Sequence, residues 1–209
     1  ADDPAQTYPL AIALDENDPN KLFFTCGDKR SNYICISDDK GENIIQKTLP
    51  CSVHGNEVGR ATGDRLIYKS GRLYFGSQTA GIIYSEDMGE SWQSIDLFGE
   101  KNISLIWTDS EGKLFIAGCS GEANSPDGVT RGHTLYCSTD GLKSFVPLTA
   151  PDPVKYENSS YYGFVPQRIT SDSRYIYITF ASSGEVFYGG MGAYACDTGS
   201  LSGGKVYRY

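Results

Sequence analysis

An eight-residue pattern occurs once in full and twice in weakened form along this chain, each time directly after an apolar run of strand length. The full copy is Ser85-Glu86-Asp87-Met88-Gly89-Glu90-Ser91-Trp92, which follows Gly81-Ile82-Ile83-Tyr84. A second copy begins at Ser37, runs through Asp39 and Gly41 to Ile44, and follows Tyr33-Ile34-Cys35-Ile36. The third begins at Ser138, runs through Asp140 to Phe145, and follows Thr134-Leu135-Tyr136-Cys137. It carries its glycine one place early, at Gly141, with Leu142 where glycine is expected. Asp followed by Gly is turn chemistry: the carboxylate accepts bonds from nearby backbone N–H groups, and glycine takes positive φ without a Cβ clash. The eighth residue, Trp92 or Phe145, is expected to begin the next strand and tuck beneath the turn. Ser37, Asp39, Gly41, Ser85, Asp87, Gly89, Trp92, Ser138, Asp140 and Phe145 are therefore read as corner-building residues. The Asp residues also suit catalysis chemically, but local turn stabilisation is the favoured reading.

Each corner is preceded by a further strand-like run: Lys21 to Thr25, Arg72 to Gly76, and Lys113 to Ala117. A fourth run, Tyr175 to Phe180, is followed by Gly204 to Tyr209, which reads as a strand preceding another such corner. The corner starts are 85 − 37 = 48 and 138 − 85 = 53 residues apart. Repeats of roughly 40–50 residues suit four-stranded propeller blades. Apolar residues fall in short runs divided by Gly, Asp, Ser and Asn, with no helical periodicity. The expectation is an all-β protein, a single partial β-propeller domain over residues 1–209, with blade-like units near 8–50, 51–100, 101–150 and 151–209. That amounts to about four blades, and an open stack would leave apolar blade faces uncovered. The chain is therefore expected to be part of something larger.

The eight-residue pattern resembles the Asp-box, or bacterial neuraminidase repeat, of sialidases, family 74 glycoside hydrolases, sortilin-type receptors and related propellers. Other segments narrow the resemblance to family 74, the xyloglucanases and related endoglucanases. Asp15-Glu16-Asn17-Asp18-Pro19-Asn20-Lys21-Leu22-Phe23 is similar to that family's "DPxxPNxxY" segment. Gly59-Arg60-Ala61-Thr62-Gly63-Asp64-Arg65-Leu66 through Leu73-Tyr74-Phe75-Gly76-Ser77 resembles "GRxxGERL…LYFGS". Gly81 to Ser85 resembles "GLWxSTD", and Tyr177-Ile178-Thr179, Tyr188-Gly189-Gly190 and Gly204 to Tyr209 resemble "LYITYS…GPYDG…GDVWKY". Asp64 stands in place of the family's Glu, Gly189 in place of its Asp, and 191–203 reads as an insertion.

The resemblance implies a seven-bladed ring, a second propeller packed against it, and a β-1,4-glucan in the cleft between them. It implies inverting hydrolysis by two Asp residues, one in a motif upstream of Ala1 and one in the other propeller. No catalytic residue is therefore assigned in this chain. It further implies an extracellular or cell-surface protein of bacterial type. Two alternatives stand beside the hydrolase: a non-catalytic propeller that binds glycans or proteins, and a sialidase-like propeller, although the arginines form no recognisable triad.

Sugar rings present C–H faces that pack on aromatics. Tyr161 and Tyr162, in a loop-like stretch after Pro151-Asp152-Pro153, and Tyr188, in a Gly-rich stretch, are the candidates for a glucan platform; packing between blades is the competing reading for each. Arg60 is a candidate polar contact. Arg65 is read instead as pairing with Asp64 or capping a blade corner. His54 and His133 lack partners at metal-ligand spacing, and no phosphate or dinucleotide fingerprint occurs, so neither metal nor cofactor is expected. A net charge of −8 argues against nucleic acid as a partner. No apolar run approaches the roughly 20 residues that span a bilayer. The six cysteines contain no CxxC pair. Small buried thiols are the favoured reading, with Cys26–Cys35 and Cys119–Cys137 hairpin bridges as the alternative.

Overall fold

The computed structural model describes residues 9–26, 32–51, 53, 65–77, 80–99, 102–119, 134–148, 164–172, 175–182 and 205–208. All regular structure among them is β, in four antiparallel sheets whose strands follow chain order. The first sheet holds β1 (Pro9–Leu14), β2 (Leu22–Cys26), β3 (Tyr33–Ser37) and β4 (Ile45–Thr48). The second holds β5 (Leu66–Lys69), β6 (Arg72–Gly76), β7 (Ile82–Ser85) and β8 (Gln93–Ile95). The third holds β9 (Asn102–Thr108), β10 (Leu114–Cys119), β11 (Thr134–Ser138) and β12 (Val146–Leu148). The fourth holds β13 (Phe164–Ser171), β14 (Ile176–Ser182) and β15 (Lys205–Arg208). Each sheet is a meander, so every strand pairs with its chain neighbours and no crossover is needed.

The strands are short runs of β-branched, aromatic and leucine residues, which fit a pleated half-buried surface. Both faces of the middle strands are apolar, so β3, β6 and β7 read as nearly continuous hydrophobic segments without clean alternation. The reason is that these sheets pack face to face in series. The first cluster joins Ala13, Phe23, Ile34 and Ile36 of the first sheet to Leu66, Leu73, Phe75 and Ile83 of the second. The next joins Tyr74 and Ile82 to Ile103, Ile106, Leu114, Ile116 and Tyr136 of the third. The last joins Leu105, Phe115, Ala117 and Leu135 to Ile169 of the fourth. The first strands β1, β5, β9 and β13 pack in that order. Phe23, Phe75 and Phe115 sit wholly inside these seams, where truncating a Phe to Ala costs about 3–5 kcal/mol.

The seams set close limits on side-chain volume. A Cβ at Gly76 would lie 2.6 Å from Ile103 Cγ2, so glycine here lets the third sheet approach the second. Ile103 N also donates to Ser77 O at 2.8 Å, tying the two sheets by backbone as well.

Cys35, Cys51 and Cys137 take part in no disulfide, so neither hairpin bridge is formed. Register explains this: Phe24 lies opposite Cys35, and Phe115 lies opposite Cys137. Among the described residues no helix is long and apolar enough to cross a membrane.

Candidate functional site

A meander gives each sheet two unlike ends. At one end are the turns β1–β2, β3–β4 and their counterparts in the later sheets. At the other are the connections β2–β3, β4–β5 and theirs. The three repeated octapeptides all fall at the first end, and their bonding is nearly identical.

In the second sheet, Ser85 Oγ donates to Asp87 Oδ1 at 2.8 Å and accepts from Gly89 N at 2.7 Å and Asp87 N at 3.3 Å. Asp87 Oδ1 also accepts from Ser91 N at 2.9 Å, and Asp87 Oδ2 from Ser91 Oγ at 2.5 Å. The first corner repeats this through Ser37, Asp39, Gly41 and Asn43, with the Asn43 side chain standing in for the second serine. The third repeats it through Ser138, Asp140, Leu142 and Ser144.

The displaced glycine of the third copy has a simple cause. Each corner needs two successive left-handed residues: Lys40 and Gly41 (φ 63° and 91°), Met88 and Gly89 (58° and 82°), Gly141 and Leu142 (71° and 73°). One glycine serves each pair, and either place accepts it. Leu142 N donates to Ser138 Oγ at 3.0 Å just as Gly89 N does to Ser85.

The corners are less self-contained than the sequence pattern suggests. The eighth residue lies one place before the outer strand, and Trp92 packs into the seam with the preceding sheet, as Phe145 does one sheet later. A Cβ on Gly89 would meet Ile36 Cδ1 at 3.5 Å and Lys47 Cβ at 3.4 Å, both in the first sheet. Lys47 also reaches across to Glu90.

Bonding fixes the chemistry of the three carboxylates. The Ser91 hydroxyl, then the Ser91 amide and Ser85, lower Asp87 to about 2. Ser144 does the same for Asp140, also to about 2. The Asn43 amide, then its side chain, lowers Asp39. A glycosidase general acid needs the opposite shift, upward. At neutral pH all three are ionised and engaged as acceptors within their own corners.

A second set of carboxylate corners was not singled out from the sequence. Asp109 Oδ1 accepts from Glu111 N at 2.9 Å and Lys113 N at 2.8 Å. Asp15 caps Asn17 N, and Asp172 accepts from Tyr175 N and the Tyr177 hydroxyl. The signal was present: an Asp directly after the last residue of a strand, opening the β1–β2, β9–β10 and β13–β14 turns. The β5–β6 turn instead uses Ser70 and Gly71, both at positive φ, a two-residue hairpin loop.

At the opposite end lies Arg65. It is 5% exposed, donates to Val53 O at 3.1 Å and Gly76 O at 3.3 Å, and lies over the Phe75 ring at 5.7 Å. Burial lowers its guanidinium to about 10, partly offset by Cys51. The Cys51 thiol is raised by burial, against the Ser77 hydroxyl and Arg65. Arg65 thus ties the β4–β5 connection to β6 through two buried backbone acceptors. Asp64, its expected partner, lies outside the described residues.

Arg60, Tyr161, Tyr162 and Tyr188 also lie outside the described residues. In chain order they fall in the β4–β5, β12–β13 and β14–β15 connections, all of which leave from the end opposite the carboxylate corners. Among the described residues no group of three or more His, Cys, Asp or Glu could hold a metal ion.

Serial antiparallel sheets, three of them four-stranded and the fourth three-stranded among the described residues, define the class: a β-propeller. In sequence the chain is similar to a part of several xyloglucanases, and in fold to a part of solved GH74 enzymes. The oligoxyloglucan-reducing end-specific xyloglucanase of Emericella nidulans is 29% identical over 119 residues, 51% of this chain and 15% of that protein. A probable enzyme of the same description from Neosartorya fischeri is 26% identical over 162 residues, 71% of this chain and 18% of that one. The crystal structure of the GH74 enzyme of Niastella koreensis superposes with a TM-score of 0.65 at 24% identity, over 96% of this chain and 28% of that one. No family model matches the chain. The chain spans less than a fifth of the length of these two curated relatives.

Proposed function

We propose that the chain is part of a propeller in an extracellular enzyme that hydrolyses xyloglucan or a related β-1,4-glucan. The observation that carries this reading is the 26% identity over 162 residues to a probable oligoxyloglucan-reducing end-specific xyloglucanase. The serial order of the family motifs along the chain supports it.

In this reading the four blade units belong to a seven-bladed ring, and a second propeller forms the other wall of a glucan cleft. Hydrolysis inverts the anomeric centre with an acid and a base held about 6.5–9.5 Å apart, wide enough for a water. In this reading both carboxylates come from outside this chain. This chain contributes binding. Arg60 is assigned to sugar hydroxyls, and Tyr161, Tyr162 and Tyr188 to the C–H faces of the rings. The carboxylate corners form the rigid opposite end that holds those connections in place.

The test is reducing-end release from xyloglucan by the complete gene product. Tyr161→Ala and Tyr162→Ala are each expected to raise KM by about tenfold, the loss of roughly 1.4 kcal/mol of stacking. Asp140→Asn, at the other end, is expected to leave KM unchanged. No release from xyloglucan or β-glucan overturns the reading; glycan binding without turnover replaces it with a binding propeller.

A further inference from the structure

The blade repeat does not account for Phe98. Leu97 follows β8 as Leu49 follows β4, and each is 1% exposed. The next residue is Pro50 in the first sheet and Phe98 in the second. Phe98 is 65% exposed, and its φ of 52° is one that a bulky side chain rarely adopts. Gly99 follows at 76°, and Asp96 Oδ1 accepts from Gly99 N at 2.9 Å, which fixes the bend. The ring stacks on Tyr136 of β11, with centroids 5.5 Å apart and planes at 29°, and meets Phe145 edge-on at 6.5 Å. Burial at the place of Tyr136 does not call for such a ring. Its counterpart Ile83, at the seam where Pro50 stands in the place of Phe98, is 4% exposed. Backbone strain that burial does not offset points to a role for the residue that bears it.

We propose that Phe98 is an accessory carbohydrate platform on the flank of the third sheet, taking the C–H face of a pyranose ring in a neutral β-glucan chain. Tyr136 covers one face of the ring, and the exposure leaves the other to solvent. The electron-rich face of an aromatic ring attracts C–H groups, which a pyranose presents on its flat side. Pro147, in register with Tyr136 and exposed, extends the apolar strip. The strip is small: a stable protein interface buries about 800 Å² on each partner, whereas an aromatic side chain offers about 150–250 Å². That is the scale of a sugar ring, not of a protein partner or a second copy. The net charge of −8 favours an uncharged polymer over a polyanion. Phe98 belongs to the β8–β9 connection, apart from those that carry Arg60, Tyr161, Tyr162 and Tyr188, and its ring contacts lie on the outer half of the third sheet. A chain held there stays close to the cleft, so the platform acts through local concentration. The choice of β-glucan as the polymer rests on the hydrolase reading.

The test compares Phe98→Ala, Phe98→Leu and Phe98→Tyr with wild type in the complete gene product. Binding is read by electrophoresis through gels containing polymeric xyloglucan, and kinetics on the polymer and on a short xyloglucan oligosaccharide. Phe98→Ala and Phe98→Leu are expected to raise KM for the polymer about fivefold and to reduce retardation in the gel, with kcat and the oligosaccharide kinetics unchanged. Phe98→Tyr, which keeps the flat face, is expected to behave as wild type. Phe98→Leu, which keeps Tyr136 covered, is expected to lose polymer binding without a change in melting temperature. Wild-type polymer binding in Phe98→Ala overturns the proposal, and so do equal losses on polymer and oligosaccharide. Self-association that Phe98→Ala abolishes assigns the ring to a second copy and overturns it too. A wild-type protein that releases no reducing ends, yet is retarded by xyloglucan more than Phe98→Ala is, removes the hydrolase reading and leaves the platform standing.

Discussion

Lys69 in the second sheet and Glu16 in the turn of the first are joined by an ion pair of 2.6 Å across the seam between them. Lys47 and Glu90 form a second crossing at the outer corner. Both pairs reach solvent, so each is worth about 0.2–1 kcal/mol and is screened by salt. A Lys69→Ala/Glu16→Ala double-mutant cycle, followed by urea denaturation, is expected to give a coupling in that range that shrinks towards zero in about 1 M salt. Coupling that survives high salt would contradict the solvent-exposed geometry.

Gly89 combines a left-handed φ of 82° with two neighbours at the limit of contact. Gly99→Ala, at φ 76° with nothing within 4 Å, is expected to cost about 1 kcal/mol, the left-handed penalty alone. Gly89→Ala is expected to cost more, about 2 kcal/mol, because Ile36 and Lys47 must also give way. Equal losses in the two variants would show that the corner does not press on the preceding sheet.

Acid should weaken the corners in a defined window. Asp87 and Asp140 are held at about 2 in the fold, below the ordinary carboxylate value of 3.8. A lowered folded pKa means the unfolded chain takes up protons first. The contribution of these groups is complete above about pH 5 and is lost as pH falls through 3.8 towards 2. Asp87→Asn is expected to destabilise the protein at pH 7 and to flatten its stability between pH 4 and pH 2. An unchanged pH profile in the variant would remove Asp87 as a source of that dependence.

Arg65→Lys tests the tie at the other end. An ammonium cannot span both Val53 O and Gly76 O or stack on Phe75 in the same way. The expected loss is about 1–3 kcal/mol, from a buried carbonyl left without its donor. Wild-type stability in the lysine variant would show that the fork geometry is dispensable.

Much of the architecture was legible because the corner pattern states its own geometry. Ser, Asp and a glycine at fixed offsets after an apolar run specify a hairpin whose donors and acceptors are all local. Other features depended on neighbours in space. Nothing in the sequence of Leu142 announces a left-handed leucine; only the superposed corners reveal that the glycine has exchanged places. The Asp109 and Asp172 turns lack a fixed second residue and so leave a weaker trace. Arg65 looked like a corner cap or a partner for Asp64, and its actual acceptors, Val53 O and Gly76 O, are 12 and 11 residues away. Trp92 was readable as a corner residue but not as one that packs into the seam with the sheet before it, because that seam joins separate blades.

Packing in single file has a further consequence. A sheet whose apolar faces are shared with the sheets on either side gains stability from adjacency, as links in a one-dimensional chain do. A lesion in β6 should therefore be felt most by its flanking sheets and fade with each sheet beyond. Unfolding under stress should begin at whichever sheet has a neighbour on one side alone and travel inward. Joining the two ends of the series would remove that starting point, converting a stack that frays into a ring that yields only as a whole.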